Sequence, residues 1–377
     1  MSTRRRRFTL VISSLQAGGA ERVLSRMANY WAARGHDVEI VSLDLPGSVP
    51  FYPLHRDVRI RELGLLRDSR HKLDAVWSSL GRVRQVRRAI KRHRPDAVIS
   101  FVDQVNVVTL LATRGLGIPV IVSERVDPAQ VTLPAPWPRL RLWTYPWARQ
   151  VVVQTRQAAA YFHDPRIRTT VIGNPIAPAP ATDRSGLPAA NAGGDGEDGG
   201  DGVAWITAIG RLTPQKGFDL LLRAFAEIAA AHPRWSLRII GEGNERQALV
   251  EQARTLGLAD RVQFTGRVAD VFPLLAAADL FVLSSRFEGF PNVLGEAMAA
   301  GLPVIAFDCP SGPADLIRHE VDGLLAPPHP PAALARAMDR LIANPAERAA
   351  LAARAIDVVD RFSEAAIMER WEALLEA

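Results

Sequence analysis

Short apolar runs alternate along the chain with longer segments in which apolar residues recur every three or four positions. The short runs are rich in Val, Ile, Leu and Phe, which is typical of strands buried on both faces of a parallel sheet. The longer segments have the spacing of amphipathic helices, and residues 20–34 and 82–93 are the clearest examples in the first half. The runs of the first half predict strands at residues 8–13, 38–43, 97–101, 120–123 and 150–154.

The same alternation restarts near residue 203 and continues almost to the end of the chain. Strands that alternate with helices indicate an α/β fold with a mostly parallel, doubly wound sheet. The predicted strands are residues 204–209, 236–240, 262–265, 280–284 and 303–306, and the predicted helices lie near 218–231, 244–256, 270–277, 291–300 and 331–343.

Residues 177–202 interrupt this alternation with a segment rich in Gly, Asp and Pro. Such a composition buries too little apolar area to offset the entropy of ordering, so the segment is predicted to be a flexible linker. We therefore expect two Rossmann-like domains, residues 1–176 and 203–360, whose parallel sheets face a central cleft. A last helix within residues 361–377 is predicted to cross back onto the first domain.

Composition and charge narrow the class of protein. A chain of 377 residues suits two domains, and its single cysteine, Cys309, excludes an intrachain disulfide and a cysteine-based zinc site. Residues 1–180 carry 28 Lys and Arg against 13 Asp and Glu, a net charge of +15, whereas the remainder carries 18 against 27, a net charge of −9. The first apolar run resembles a buried strand more than a signal peptide, so we expect a cytoplasmic protein.

Two basic residues follow the predicted strand 204–209. Arg211 and Lys216 lie between this strand and the helix that begins near residue 218. Ligands of doubly wound sheets bind at the carboxyl ends of strands, where the N-terminus of the next helix adds partial positive charge. The two cations suit a diphosphate leaving group, although two solvated bases in an ordinary connection have the same pattern.

Two glutamates lie eight positions apart in a second motif. Glu288 is predicted in a loop, where it could accept hydrogen bonds from sugar hydroxyls, and Glu296 two turns into the next helix, where it could accept one from a ribose. Residues 289–293 would present backbone N–H groups at the start of that helix. Solvated helix carboxylates are the alternative interpretation.

Together, Gly210-Arg211, Lys216-Gly217, the segment 288–291 and Glu296 resemble the retaining glycosyltransferases of family 4, whose E-x7-E motif has this spacing. Gly18-Gly19 resembles the glycine loop that follows the first strand in this family. Segments 241–243 and 264–268 resemble its base-holding loops, and segments 123–125 and 307–313 resemble members that build lipid-linked or exopolysaccharide oligosaccharides.

The resemblance implies the GT-B fold and the transfer, with retention, of a hexose or N-acetylhexosamine from a UDP-sugar to a lipid-linked or polysaccharide acceptor. Arg211 and Lys216 would stabilise the departing UDP, and Glu288 would orient the transferred sugar. No metal ion and no cofactor is implied, because the two cations would replace a divalent ion. The implied donor-binding residues are Gly18, Gly19, Gly210, Arg211, Lys216, Gly241, Val268, Glu288, Gly289, Phe290, Pro291, Asn292, Val293 and Glu296.

The acceptor side departs from the family's pattern. Many relatives carry a histidine after the fourth strand of the first domain, but residues 100–106 contain none. Asp103 is the catalytic candidate in its place and Asn106 an acceptor contact, with a helix-capping role for Asp103 as the alternative. Glu124 and Arg125, at a predicted strand end, are further acceptor candidates, or else form an interdomain salt bridge.

Two basic segments also carry apolar residues. Residues 67–94 interleave ten Lys and Arg with aliphatic residues, and residues 133–149 combine arginines with Trp137, Trp143, Tyr145 and Trp147. This composition suits peripheral docking onto the anionic inner face of the cell membrane. The alternative is that the apolar side chains face the core and the bases are simply solvated.

Two other functions stay open from the sequence. A pI of about 10.0 would suit a nucleic-acid-binding protein, but the acidic second half and the lack of a recognisable reader motif favour no nucleic-acid partner. Another enzyme with two Rossmann-like domains, such as a sugar-nucleotide epimerase, would need catalytic groups on both sides of its cleft. Glu288 and Glu296 instead belong to one element.

Overall fold

The computed structural model contains two compact units. The first consists of residues 1–174 together with 367–377, and the second of residues 175–366. The predicted linker, residues 177–202, lies outside the described residues except at its two ends. The structure describes residues 5–65, 72–131, 133–180 and 202–376, and of residues 72–79 it describes the backbone alone.

Seven parallel strands form the sheet of the first unit. They are β1 (Arg7–Ile12), β2 (Asp37–Ser42), β3 (Arg59–Glu62), β4 (Ala97–Phe101), β5 (Val120–Ser123), β6 (Gln150–Val153) and β7 (Thr169–Val171). Their order is β3-β2-β1-β4-β5-β6-β7, so the direction of winding reverses between β1 and β4. All five residues of β4 are buried, as expected for a central strand covered on both faces.

Helices cover the sheet of the first unit and bury their apolar stripes against it. The first helix, for example, buries Val23, Leu24, Met27 and Trp31 at helical spacing. The helices are α1 (Gly19–Ala33), α2 (Lys72–His93), α3 (Asp103–Thr113), α4 (Trp137–Thr144) and α5 (Arg156–Ala160), and a 3-10 turn follows α4 at Tyr145–Trp147.

Six parallel strands form the sheet of the second unit, in the order β10-β9-β8-β11-β12-β13. Apolar side chains on both faces pack beneath helices, and the two resulting cores contain, among others, Phe225 on one face and Phe281 on the other. The strands are β8 (Ala204–Ile209), β9 (Trp235–Ile240), β10 (Val262–Gly266), β11 (Leu280–Leu283), β12 (Val304–Phe307) and β13 (Leu324–Ala326). The helices are α6 (Phe218–Ala229), α7 (Arg246–Thr255), α8 (Phe272–Ala276), α9 (Asn292–Ala299), α10 (Pro313–Leu316), α11 (Pro331–Ala343), α12 (Pro345–Ala355) and α13 (Val358–Arg361).

The last helix, α14 (Glu364–Glu376), belongs to the first unit from Ile367 onwards. Its Trp371 is buried and stacks on Phe101 of β4, with the ring centroids 6.3 Å apart. Trp31 Nε1 of α1 donates a hydrogen bond of 3.2 Å to Glu372 Oε1. The predicted return of the C-terminal helix to the N-terminal domain is therefore confirmed.

Two parallel Rossmann-like sheets confirm the predicted fold class. Of the four edge strands, β10 was predicted, but β3, β7 and β13 were not. Strand β3 is polar because it lies at the sheet edge, where Arg59 and Arg61 pair with Asp37 and Glu39 of the neighbouring β2. Helix α2 begins at Lys72, ten residues before the predicted start. Within the described residues, no helix is long and apolar enough to cross a membrane.

Candidate active site

The winding of the second sheet reverses between β8 and β11, which are hydrogen-bonded neighbours. In doubly wound sheets, ligands bind beyond the carboxyl ends of the strands at such a reversal. The segment 210–217 follows β8 and the segment 284–291 follows β11. The fold therefore brings the two motifs found in the sequence to one edge of one sheet.

Lys216 and Glu288 form an ion pair at this edge. Lys216 Nζ lies 2.7 Å from Glu288 Oε1, and the two side chains are 16% and 6% exposed. Ser285 Oγ donates a second hydrogen bond, of 2.6 Å, to the same carboxylate oxygen. The ammonium and the carboxylate are thus held in one orientation by a short, largely dehydrated contact.

Arg211 and Glu296 belong to the same two motifs as this pair. The side chain of Arg211 is exposed, in the connection that follows β8. Glu296 is half-buried in the second turn of α9, the helix that begins at Asn292. Val293 and Gly289 are also half-buried near the start of this helix, where the first backbone N–H groups have no partner within the helix.

Two glycines allow the strand ends to approach each other. Gly217 has φ +63°, and a Cβ there would lie 2.1 Å from the carbonyl oxygen of Ser284. Gly241 has φ +145°, and a Cβ there would lie 1.9 Å from the carbonyl oxygen of Gly210. Any other residue at these positions would push the loops apart.

The loop of Glu288 is anchored on its far side as well. The ring of Phe290 is buried against Phe362, with centroids 5.7 Å apart, and Pro291 is buried too. The amide of Glu288 donates to the carbonyl oxygen of Pro310 at 3.1 Å. The side chains of Phe290 and Pro291 therefore fix the loop, and their predicted contact with the donor sugar nucleotide stays a prediction.

Neighbouring Cys309 is a buried thiol next to this site. Burial, followed by the charge of Glu288, raises its pKa to about 12. The thiol therefore stays protonated at neutral pH and acts as a small apolar side chain.

Gly18 and Gly19 lie at the corresponding reversal of the first sheet, where Gly18 is the N-cap and Gly19 the first residue of α1. A Cβ at Gly18 would lie 2.0 Å from Glu21 Oε2, because the carboxylate of Glu21 folds back over the glycine. Burial raises the pKa of Glu21, while the nearby charge of Arg125 opposes that change. This glycine turn therefore contains a partly desolvated carboxylate that the motif alone does not reveal.

Asn106 is fully buried at the carboxyl end of the first sheet, where it links β4, β5 and the turn after α4. Its Oδ1 accepts from Ser100 Oγ at 2.5 Å, and its Nδ2 donates to Ser123 O at 3.0 Å and to the Tyr145 hydroxyl at 3.2 Å. Asn106 therefore connects neighbouring elements, and the acceptor contact expected from the sequence stays a prediction.

Glu124 belongs to the same network and is 4% exposed. It accepts a hydrogen bond from the Tyr145 hydroxyl, and Arg141 Nη1 lies 3.9 Å from its Oε1. Burial raises the pKa of Glu124 to about 7, although Tyr145 and Arg141 both act in the opposite direction. The cation that pairs with Glu124 is therefore Arg141, which lies in the first unit.

Arg125 and Asp103 complete the residues predicted on the acceptor side. Burial lowers the pKa of Arg125 to about 9, with Glu21 opposing, and its Nη2 donates to Asn174 Oδ1. Asp103 is the first residue of α3, and its Oδ1 accepts from the Gln104 amide at 2.5 Å. The N-cap of that helix is Val102 and not Asp103, so the alternative that Asp103 caps the helix is wrong.

Sequence patterns missed several of these contacts. Tyr145 and Arg141 hold Glu124 across separations that no local motif encodes, whereas Ser285, which holds Glu288, lies only three residues before it. Tyr145 and Arg141 are also buried, which excludes them from the predicted membrane-facing surface. Val268, predicted at the base-holding loop, is half-buried just after β10, and Gly241 directly follows β9.

Across the described ranges, no group of three or more His, Cys, Asp or Glu side chains is arranged to hold a metal ion. The charged groups that follow β8 and β11 include the cations Arg211, Lys216 and Arg286 and the carboxylates Glu288 and Glu296. Such a site can bind an anionic group through fixed protein charges.

The buried carboxyl of Glu124 predicts a pH-dependent stability. The folded protein holds this proton more tightly than the unfolded chain, in which the pKa is the ordinary 4.5. The free energy of unfolding should therefore fall as pH rises from about 4.5 to about 7, by the linkage of proton binding to folding. Glu124→Gln is expected to remove that decrease, measured by denaturant unfolding across this range. Exposed Glu369→Gln is the control, and an equal slope in Glu124→Gln and the original protein would contradict the assignment.

Comparisons with known proteins agree with this arrangement. Residues 18–175 match the family model described as Glycosyl transferase 4-like domain, and residues 204–344 match the one described as Glycosyl transferases group 1. An uncharacterized glycosyltransferase of Haemophilus influenzae is 26% identical over 362 residues, covering 95% of this chain and 96% of the relative.

A second relative is similar over its whole length. It is the Campylobacter jejuni enzyme named GalNAc-alpha-(1->4)-GalNAc-alpha-(1->3)-diNAcBac-PP-undecaprenol alpha-1,4-N-acetyl-D-galactosaminyltransferase, 28% identical over 98% of both chains. Among solved structures, HepE of Anabaena in complex with UDP has a TM-score of 0.75 at 21% identity and covers 98% of this chain and 99% of its own. With two parallel sheets wound as described and a family match to each unit, the chain belongs to the GT-B glycosyltransferases, a 4-like domain followed by a group 1 domain.

Proposed function

We propose that this glycosyltransferase acts with retention and without a metal ion, moving a hexose or N-acetylhexosamine from a UDP-sugar to a lipid-linked or polysaccharide acceptor. The observation that carries the proposal is the Lys216–Glu288 ion pair of 2.7 Å at the carboxyl ends of β8 and β11. It places a fixed cation and a fixed carboxylate where doubly wound sheets bind nucleotides.

The cation serves the leaving group. As the bond from the sugar to the diphosphate breaks, negative charge grows on UDP, and a preorganised ammonium stabilises that charge more in the transition state than in the ground state. Lys216 is 16% exposed, so its charge is only weakly screened by water, while the exposed Arg211 is free to follow the diphosphate. Both roles rest on the family resemblance together with this geometry.

The carboxylate of Glu288 orients the transferred sugar. When the donor diphosphate attracts Lys216, Glu288 loses part of its ion pair and can accept hydrogen bonds from sugar hydroxyls. Ser285 still holds the carboxylate in place through its bond of 2.6 Å. Retention follows from the family mechanism, in which the donor phosphate helps to take the acceptor proton on the face from which UDP departs.

Named relatives support the choice of substrates. HepE has been solved with UDP, with UDP and glucose, and with UDP-glucose. The Campylobacter relative is named for transfer to a PP-undecaprenol-linked acceptor, and a relative of Erwinia amylovora, 27% identical over 81% of this chain, is named for amylovoran biosynthesis. We therefore place the donor among UDP-sugars and the acceptor among lipid-linked or polymeric saccharides.

A panel of UDP- and GDP-sugars tests the donor. We expect UDP-sugars to raise the thermal unfolding temperature and to be slowly hydrolysed, with rates unchanged by EDTA. Proton NMR of the product formed on a supplied acceptor should show the anomeric configuration of the donor. Protection by GDP-sugars alone, loss of activity in EDTA or an inverted product would each contradict the corresponding part of the proposal.

The acceptor class also suggests peripheral binding to the cytoplasmic face of the membrane. Trp143 is 59% exposed and Leu142 48% exposed on α4, which also carries the exposed Arg139. Interfacial tryptophans and arginines together favour an anionic bilayer surface. We propose that this part of α4 contacts the membrane.

Vesicle binding tests the membrane contact. Trp143→Ala should reduce co-sedimentation with anionic vesicles, and Arg139→Ala should weaken it about fivefold, because a basic residue near such a surface contributes ~1 kcal/mol. Val250→Ala, at an exposed apolar position of α7, should bind as the original protein does. Equal binding to neutral and anionic vesicles would contradict the proposed surface.

A further inference from the structure

The loops that follow β8 and β11 are joined by more than the Lys216–Glu288 pair. Arg286 Nη1 donates to Pro214 O at 2.7 Å, and the Arg286 amide donates to Gln215 O at 2.8 Å. The side chain of Gln215 returns a hydrogen bond of 3.0 Å to Phe287 O. These contacts lie next to the ion pair in the sequence. Pro214 and Gln215 directly precede Lys216, and Arg286 and Phe287 directly precede Glu288.

Arg286 is itself held by a carboxylate of α6. Its Nη1 and Nη2 donate to Asp219 Oδ1 and Oδ2, both at 2.7 Å. This is the two-bond geometry that a guanidinium forms with a carboxylate. Burial alone would raise the pKa of Asp219, but the bonds from Arg286 hold it below its usual value, so the carboxylate stays ionised.

The charge of Asp219 has a second consequence. Asp219 lies in the first turn of α6, three residues after Lys216, where a helix N-terminus would otherwise attract an anion. An unneutralised carboxylate at this position would repel a diphosphate. Arg286 offsets that charge while it fixes the loop.

We propose that Arg286 is a positioning residue for glycosyl transfer: paired with Asp219, it locks the loop of Lys216 against the loop of Glu288 and neutralises the carboxylate beside the donor diphosphate. The inference rests on the proposed function, since it assumes that Lys216 and Glu288 act on a bound donor. Arg286 is assigned no contact with the substrate. Its effect passes through the two loops and through Asp219.

Four variants test the inference: Arg286→Gln, Arg286→Lys, Asp219→Asn and the double variant Asp219→Asn/Arg286→Gln. The matched control is Arg254→Gln, which breaks a two-bond arginine–carboxylate pair with Glu251 on the surface of α7 that joins no loops. Steady-state kinetics with a UDP-sugar, denaturant unfolding and amide hydrogen exchange of residues 211–217 and 284–290 are measured for each.

Arg286→Gln is expected to lower kcat/KM roughly 10- to 100-fold, because small misplacements of catalytic groups have effects of this size. Its free energy of unfolding should stay close to that of Arg254→Gln, and amide hydrogen exchange in both loops should be faster. Arg286→Lys retains the charge but not the two-bond geometry, so its kcat/KM should lie between those of Arg286→Gln and the original protein. The double variant should have a lower KM for the UDP-sugar than Arg286→Gln, because the unneutralised carboxylate is gone.

A kcat/KM for Arg286→Gln within twofold of the control would overturn the positioning role, and so would a loss of activity that only follows the unfolded fraction. A double variant with the same donor KM as Arg286→Gln would overturn the electrostatic part. If the original protein transfers no sugar from any UDP-sugar, the proposed function fails separately. Hydrogen exchange still tests the lock in that case, and unchanged exchange in Arg286→Gln would overturn it.

Discussion

Replacing Lys216 by alanine is expected to lower kcat/KM for the UDP-sugar by roughly 10²- to 10³-fold. The loss corresponds to about 2.7–4 kcal/mol of transition-state stabilisation, the range found when one preorganised charge-stabilising group is removed. The structure favours a large effect because Lys216 Nζ lies in a contact of 2.7 Å with Glu288 and its side chain is only 16% exposed. Water at such a site is a poor substitute for the lost ammonium.

Steady-state kinetics of purified Lys216→Ala, with the donor varied at a fixed acceptor concentration, measures this loss. The control is Arg223→Ala, which removes an exposed cation from α6 and should leave kcat/KM unchanged. Lys216→Arg keeps the charge but changes its geometry, and should recover part of the activity. Full activity in Lys216→Ala would contradict the assigned role.

Replacing Glu288 by glutamine is expected to separate binding from transfer. In Glu288→Gln, Lys216 has no carboxylate partner to give up when the diphosphate of the donor binds. UDP should therefore bind more tightly. Transfer should nevertheless slow by on the order of 10²-fold in kcat, because the neutral amide stabilises positive charge on the sugar poorly. Few structural defects would raise UDP affinity and lower kcat together.

Calorimetric titration with UDP and kinetics with the UDP-sugar measure the two effects on Glu288→Gln. The exposed Glu227→Gln on α6 serves as the control and should change neither quantity. Weaker binding of UDP by Glu288→Gln would show that the carboxylate does not compete for Lys216. An unchanged kcat would show that Glu288 does not act on the sugar.

Much of the fold could be predicted because both sheets are buried on both faces. A strand such as β4, with all five residues buried, is mostly apolar, and its predicted and observed bounds coincide. The same holds for β8, whose predicted bounds are also those observed. Strand β3 could not be found in this way, since an edge strand is partly solvated and residues 59–62 are three-quarters charged.

The candidate site could be predicted only as far as its motifs are local. Gly210, Arg211 and Lys216 occupy one connection, and Glu288 and Glu296 belong to one loop and its helix, so their spacing is visible along the chain. The ion pair between Lys216 and Glu288 spans 72 residues. Only the adjacency of β8 and β11 in the folded sheet brings its two members together.

The hydrogen-bond network around Glu124 and Asn106 in the first unit shows what the sequence could not predict. The sequence predicts an acceptor contact for Glu124 because it lies at a strand end, and for Asn106 because residues 100–106 lack the histidine of many relatives. In the structure both are buried and satisfied by Tyr145, Arg141, Ser100 and Ser123. Burial and partners at such distances depend on how the chain packs, and no local pattern encodes them.

The sequence by itself determined the class of fold, the succession of strands and helices and the motifs at the ends of β8 and β11. It could do so because apolar periodicity and turn residues are local properties with direct physical causes. The tertiary structure alone decided which strands are neighbours, and therefore that Lys216 meets Glu288 and that Arg286 meets Asp219. The reason is that hydrogen bonds and ion pairs act over a few ångströms in space, whatever the separation of the residues along the chain.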